Sequence, residues 1–247
     1  MNEQTAPIAS AASATISLVF MKAVILALIG CSVMLRAAPA AAQLEGISNR
    51  DAAAALKAAL EKGSQAAVAQ LGRTDGFLGD KRVRIPLPES LQRGERMARR
   101  VGMGRYADDL ITAMNRAAEQ AVPEAQQLFI DAARKMTVQD AKGILTGGDT
   151  AGTEYFRRTT QDQLRGRFTP IVKKATARVE LAQQYQRYSS RLVAAGLMDR
   201  QDADLDGYVT QKALDGLYFM VAEEEKKIRK DPVSAGREII RKVFGAL

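Results

Sequence analysis

Apolar residues recur every three or four positions along almost the whole chain after residue 48, and this spacing limits what the chain can fold into. Residues three and four positions apart share one face of a helix, as Leu56 with Leu60 and Val68 with Leu71 do here. No stretch alternates convincingly between apolar and polar residues over more than five positions, as a half-buried strand would. We therefore predict an all-α fold, a single bundle of about eight or nine helices.

Proline residues predict where the chain leaves this helical pattern. Pro86 and Pro88 stand one residue apart, so we expect residues 77–88 to form one extended segment. Pro123 is expected to end one helix and to stand in the first turn of the next. Pro170 is likewise expected to open a long helix.

Short polar residues predict several helix starts. Ser48 and Asp51 have the spacing of a capping box, and Thr137 with Asp140 is expected to start a short helix. Asp149 is expected to cap the helix that carries Phe156. On the helix before Pro123, Tyr106 is expected to begin the inward-facing apolar stripe.

The C-terminal part of the chain is predicted to form two more helices, over about residues 207–230 and 232–244. Glu225 and Arg229 lie four positions apart on the first of them. Opposite charges at this spacing stabilise a helix, and we expect this pair on a solvated face.

The first 42 residues have the composition of a targeting segment. Counted from Met21, a candidate translation start, Lys22 precedes an apolar run and small residues end at Ala42. The run covers residues 23–35, which is shorter than the roughly 20 residues that span a bilayer. We therefore predict that residues 1–42 are a signal peptide region.

Removal of this region leaves residues 43–247, which we predict to form a single helical domain in the periplasm or outside the cell. In the alternative, residues 28–31 act as a lipoprotein cleavage box, and the protein is anchored to a membrane through Cys31. In both cases the domain keeps no cysteine, so its core alone must hold it together.

Basic residues are concentrated in two parts of this domain. Residues 81–105 hold eight basic and two acidic side chains, and residues 157–191 hold nine and two. Either solvated helix faces or a surface for an anionic partner would account for this excess. The candidate surface consists of six arginines: Arg84, Arg96, Arg99, Arg100, Arg157 and Arg158.

The partner that we expect is an anionic lipid or a protein of the cell envelope. Surfaces that bind nucleic acid often combine aromatic with basic residues, and residues 155–158 have such a composition. We expect no nucleic acid here, because an exported protein rarely meets it. Tyr155 and Phe156 are instead expected to pack inward.

The composition excludes several kinds of catalytic site. The chain has no His and one Cys, so a Ser-His-Asp triad, a Cys-His dyad and the usual zinc sites are excluded. Adjacent carboxylates such as Asp108 and Asp109 diverge on a helix instead of meeting at one substrate. We therefore predict a non-enzymatic binding protein without a cofactor, and the alternative is a carboxylate-based hydrolase.

Residues 202–213 resemble a calcium-binding EF-hand loop in part. Asp202, Asp204 and Asp206 stand at the first, third and fifth positions, but Ala213 replaces the Glu that closes such a loop. An acidic helix start, whose carboxylates meet exposed N–H groups, explains this stretch without a metal. Calcium binding is therefore a less favoured alternative, and we predict no metal site.

Several segments of the chain resemble a known family. They are residues 83–88 (VRIPLP), 113–118, 121–125, 139–149 (QDAKGILTGGD), 155–158 and 208–217. Over most of residues 46–245 the chain is similar to exported Gram-negative proteins that share domain of unknown function 4197. This resemblance implies an exported helical domain, and it implies no activity, cofactor or catalytic residue.

Overall fold

The computed structural model describes residues 49–196 and 198–231, and every regular element among them is helical. The helices are α1 (Asn49–Leu71), α2 (Glu89–Arg100), α3 (Arg105–Ala121), α4 (Ala125–Lys135), α5 (Val138–Leu145), α6 (Ala151–Thr176), α7 (Glu180–Ala194), α8 (Arg200–Ala203) and α9 (Leu205–Lys230), with a 3₁₀ turn (Val122–Glu124) between α3 and α4. The predicted all-α fold is confirmed for this part of the chain.

The core lies among α1, α3, α4, α6 and α9. α9 packs against α6 and α1, while α6 also packs against α3 and α4. At its centre the rings of Phe129 and Phe156 lie 4.8 Å apart, and Tyr218 meets Phe129 edge-on at 6.0 Å. Three helices that are distant in sequence are thus joined by aromatic contacts.

The first turn of α6 is held by a carboxylate from α9. Glu225 accepts hydrogen bonds from the backbone N–H groups of Gly152 and Thr153 at 2.9 and 2.8 Å, and from the Thr153 hydroxyl at 2.8 Å. Arg229 donates to the same carboxylate at 2.9 Å. Because the first N–H groups of a helix have no intrahelical acceptor, Glu225 supplies what an N-cap side chain normally does.

Two predictions about this region are wrong. The N-cap of α6 is Thr150 and not Asp149, and the Thr150 side chain makes no capping hydrogen bond, because Glu225 already accepts from the first turn. Glu225 and Arg229 are paired as predicted, but their side chains are only 5% and 14% exposed. The pair therefore belongs to the interior and not to a solvated face.

Pro170 lies inside α6, so the prediction that it opens a helix is wrong. The helix runs unbroken from Ala151 to Thr176. A proline at this position removes the donor that the carbonyl of Gly166 would use, at a cost of about 3 kcal/mol. Phe168 and Val172 are fully buried on either side of Pro170, and their packing holds the helix together through it.

The predicted helix start at Thr137 is confirmed, and it has the form of a capping box. The Thr137 hydroxyl accepts from the backbone N–H of Asp140 at 3.1 Å, and the Asp140 carboxylate accepts from the backbone N–H of Thr137 at 3.0 Å. Pro123 separates α3 from α4 as predicted, but it lies in the 3₁₀ turn between them and not in the first turn of α4.

The prediction that residues 77–88 form one extended segment is wrong for its first half, because residues 77–79 and 81–83 form hydrogen-bonded turns. The segment lies against α3, which provides further hydrogen-bond partners. Glu119 accepts from the backbone N–H groups of Phe77 and Leu78 at 3.1 and 3.2 Å. Asn115 accepts from the N–H of Ile85 at 2.8 Å and donates to its carbonyl at 2.9 Å. These two buried side chains fix the course of the backbone that leads to α2.

The predicted signal peptide region, residues 1–42, and the predicted last helix, residues 232–244, lie outside the described residues. Among the helices that are described, none has both the length and the apolar character needed to cross a bilayer.

The junction of α6 with α1 and α9 leads to a prediction about stability. A Cβ on Gly152 would lie 2.5 Å from Leu60 Cδ2 and 3.1 Å from Glu225 Oε1. Gly152→Ala should therefore lower the free energy of unfolding by about 1–3 kcal/mol, as overpacking does. The matched control is Gly166→Ala in the same helix, where a Cβ meets nothing within 4 Å.

The control should raise stability by up to about 1 kcal/mol, because alanine favours helix over glycine. Urea unfolding followed by circular dichroism measures both variants. Equal effects of the two substitutions would show that the lack of space around Gly152 does not determine the loss of stability.

Candidate functional site

Helix α2 contributes no buried side chain to the domain: none of its 12 residues is buried. It is held by few contacts, among them a hydrogen bond of 3.1 Å between the hydroxyls of Ser90 and Tyr185. Leu91 is partly buried and packs against the core. The core therefore stabilises α2 only weakly. Its exposed residues indicate a role other than packing within the domain.

Large apolar side chains are exposed on α2 and on the turn that follows it. Met97 is 69% exposed and Val101 71%, and these two lie four positions apart on one side of the helix. Met103 and Tyr106, which follow, are 54% and 48% exposed. The prediction that Tyr106 faces inward is wrong, because the buried stripe of α3 begins at Ala107.

An apolar groove of about 380 Å³ continues from these residues, between α2, the start of α3 and the start of α7. Gly94 and Ala98 line it from α2, and Ala107 and Leu181 line it from the other two helices. Its acidic lining consists of Glu95 and Glu180. Of the exposed apolar residues, Met103 and Tyr106 line this groove. We call the groove together with the exposed Met97 and Val101 the α2 surface.

Arginines flank the α2 surface. Arg96 and Arg100 are exposed and lie four positions apart, and neither has a carboxylate within 4.0 Å in the described part of the chain. Their charges are therefore available to a partner. Both belong to the predicted anionic-partner surface.

Two further arginines of the predicted surface, Arg84 and Arg99, differ in how closely carboxylates approach them. Arg99 contacts Glu95 at 2.9 Å and Asp108 at 2.5 Å. Hydrogen bonding to Arg99 lowers the pKa of Asp108, and the charge of Arg84 lowers it further. The Arg99 charge is therefore less available than those of Arg96 and Arg100, whereas Arg84 has no carboxylate within 4.0 Å in the described part of the chain.

The remaining two arginines lie over tyrosine rings. The Arg157 guanidinium is 4.6 Å from the ring centre of Tyr218, and that of Arg158 is 5.7 Å from the ring centre of Tyr155. Tyr155 and Phe156 are buried, which confirms that they pack inward. The six predicted arginines thus fall into two groups with different neighbours, one at α2 and one on α6.

The buried carboxylates in the described part of the chain are all engaged within the protein. Glu119 and Glu225 accept from backbone N–H groups, and Asp206 accepts from the Thr176 hydroxyl at 2.6 Å. General acid–base chemistry needs two groups directed at one substrate. These carboxylates are directed at helix starts and loops instead, which does not favour the hydrolase alternative.

The stretch that resembles a calcium loop starts α9. Asp204 is the N-cap of this helix, and it accepts from the backbone N–H of Gly207 at 2.9 Å. Asp204 and Asp206 therefore have the role of an acidic helix start. Across the described residues, no three His, Cys, Asp or Glu side chains come together as metal ligands do.

The exposed apolar residues were not expected from the sequence. A signal for them exists: Met97 and Val101 stand directly after Arg96 and Arg100, and Arg100 lies one helical turn from Met97. Basic residues next to exposed apolar residues also occur in helices that lie at a membrane interface. Counting charges alone finds the arginines and misses their apolar neighbours.

Together these features define an all-α domain in which the exposed helix α2 carries arginines next to exposed apolar side chains. Comparison with protein families matches residues 46–245 to the family described as "protein of unknown function (DUF4197)", so the chain belongs to this family and the resemblance is confirmed. Neither the curated proteins nor the solved structures gave a match.

The buried phenol of Tyr218, which Arg157 contacts, leads to a prediction about how stability depends on pH. Burial raises the pKa of Tyr218 to about 12, while an unfolded chain has a tyrosine pKa of about 10. The folded state therefore keeps the proton when the unfolded state has lost it. Stability should be complete below about pH 10 and should decrease as the pH rises toward 12.

Tyr218→Phe should remove this part of the decrease, and Thr160 would still donate to the carbonyl of Phe156 at 2.7 Å. Tyr188→Phe is the control, since Tyr188 is 66% exposed. The urea midpoint measured from pH 8 to 11.5 tests this prediction. It is wrong if the Tyr218 variant loses stability with pH as steeply as the control.

Proposed function

We propose that this protein is an exported, non-enzymatic binding protein that attaches to anionic lipid through the α2 surface. The observation that supports this proposal is the exposure of Met97, Val101, Met103 and Tyr106 beside Arg96 and Arg100. A lipid bilayer offers both an apolar layer and anionic head groups, and the two sets of side chains match these two layers.

The apolar residues supply the first part of the binding free energy. An amphipathic helix lies in the plane of a membrane with its apolar side in the boundary between head groups and acyl chains. Met97 and Val101 are more than two-thirds exposed, so most of their area is available for burial in lipid. Tyr106 has a polar hydroxyl on an apolar ring, which suits the same boundary.

The arginines supply the second part. A Lys or Arg close to an anionic membrane surface contributes about 1 kcal/mol, and salt screens this attraction over a Debye length of about 8 Å at physiological ionic strength. Arg96 and Arg100 have no competing carboxylate among the described residues, so they contribute most. Arg99, Arg157 and Arg158 carry the same charge but contact a carboxylate or a tyrosine ring, and Arg84 lies on the segment before α2.

A protein partner is the second candidate, and the groove of the α2 surface favours it. The groove is mainly apolar and is also lined by Glu95 and Glu180. An apolar side chain with a cation next to it would fit this lining better than an anionic lipid would. In this case the partner would bind in solution without any membrane.

Sedimentation with lipid vesicles tests the first candidate. We expect binding to vesicles that contain anionic lipid, and weaker binding to neutral vesicles or at high salt. Arg96→Gln with Arg100→Gln should weaken binding about 30-fold, which corresponds to about 2 kcal/mol. Met97→Ser with Val101→Ser should weaken it independently of salt.

The control has the same change of charge: Arg157→Gln with Arg158→Gln, whose arginines lie over tyrosine rings. This variant should bind vesicles almost as the unchanged protein does. An equal loss in both arginine variants would mean that net charge, and not the α2 surface, directs binding. Absence of binding at low salt would contradict the proposal altogether.

We also propose that residues 1–42 are removed on export to the periplasm. Lys22 before the apolar run, the shortness of that run and the small residues up to Ala42 support this. The remaining residues 43–247 then form one bundle of about eight or nine helices, with an extended segment at Pro86 and Pro88. The described helices, which share one core, support the single bundle.

Intact-mass analysis of the protein purified from a bacterial periplasm tests this proposal. We expect a chain that begins at about Gln43. A chain that begins at Cys31 and carries acyl groups would establish the lipoprotein alternative instead. Recovery of the uncleaved chain from the cytoplasm would contradict both.

A further inference from the structure

A second groove lies between α3 and the C-terminal half of α6, on elements other than α2. Its volume is about 700 Å³, within the range of about 300–1,000 Å³ that small-molecule sites occupy. Ile171, Ala175 and Val179 form an apolar floor and are all partly buried. The groove is therefore large enough and apolar enough for the tail of a small amphiphile.

The charged residues that line this groove are all cationic: Arg116, Lys174 and Arg178. Lys174 and Arg178 are exposed, and neither has a carboxylate within 4.0 Å in the ranges that the structure describes. This lining contrasts with the groove of the α2 surface, where the charged residues are Glu95 and Glu180. The lining of this groove therefore favours an anion, whereas the cations of the α2 surface, Arg96 and Arg100, lie outside the lining of its groove.

Arg116 differs from the other two cations of the groove, because its charge is already paired. Its guanidinium contacts Glu119 at 2.6 Å and Asp75 at 2.7 Å, so two internal carboxylates already balance its charge and fix its position. Lys174 and Arg178 consequently provide the charge that is free to bind an anion. Two helix ends also meet here, the C-terminus of α6 and the N-terminus of α7, but their partial charges have opposite signs and largely cancel.

We propose that this groove binds an anionic amphiphile with a single apolar tail, of the long-chain carboxylate class. The tail lies along Ile171, Ala175 and Val179, and the carboxylate lies between Lys174 and Arg178. Ammonium and guanidinium groups form strong, charge-assisted hydrogen bonds with a carboxylate. A single tail suits a groove of this volume, and the proposal does not depend on the α2 surface.

Calorimetric titration of the protein with laurate, below the concentration at which laurate forms micelles, tests the proposal. We expect saturable binding of one laurate. Lys174→Gln with Arg178→Gln should weaken it about 30-fold, because both charge-assisted hydrogen bonds to the carboxylate are lost. The control with the same change of charge is Lys173→Gln with Arg187→Gln, two exposed residues that do not line the groove.

The control and the Arg96→Gln, Arg100→Gln variant should bind laurate as the unchanged protein does. Acetate should not bind measurably, because it has no tail, and a nonionic detergent with a tail of equal length should bind more weakly than laurate. Equal weakening in the control would overturn the proposal, as would undiminished binding in the Lys174, Arg178 variant. Loss of laurate binding in the Arg96, Arg100 variant would assign the laurate site to the α2 surface instead.

Discussion

The buried carboxylate of Glu225 holds together the helices that make up most of this fold. It accepts from two backbone N–H groups and one hydroxyl of α6 while it is paired with Arg229 of its own helix. Leu60 of α1 packs against Gly152 at the same place, so three helices meet there. A buried charge is tolerated when every lone pair has a donor, and removal of one partner leaves the others without compensation.

The same principle accounts for the segment between α1 and α2. Glu119 and Asn115 of α3 serve as partners for backbone groups that belong to no helix. Polar side chains in this interior thus complete the hydrogen bonding of the backbone. One described side-chain atom departs from this rule, since the buried hydroxyl of Thr210 has no hydrogen-bond partner. Carboxylates used in this way are not available for chemistry.

Much of the helical pattern could be predicted from the sequence, because apolar spacing and proline positions are local properties. The predictions about Asp149 and Pro170 are wrong for a common reason. A contact from a distant element, Glu225 in the first case and the packing of Phe168 and Val172 in the second, outweighs the local preference. Local patterns do not record such contacts.

The candidate site was predictable in part. The excess of arginine in residues 81–105 is visible in the sequence, but which arginines have internal partners depends on the position of Asp108 and Glu95 in space. Likewise, Tyr106 fits an inward stripe by its spacing and is nevertheless exposed, because α2 does not cover it. The missing information in both cases is the contact between two neighbouring helices.

The weak attachment of α2 also has a consequence for the energetics of the domain. Local opening costs little free energy where few apolar contacts are broken, and α2 buries none of its side chains. We therefore expect its amide hydrogens to exchange with solvent through openings that leave the Glu225 junction and the aromatic core closed. A change of conformation at α2 would then cost the rest of the domain little stability.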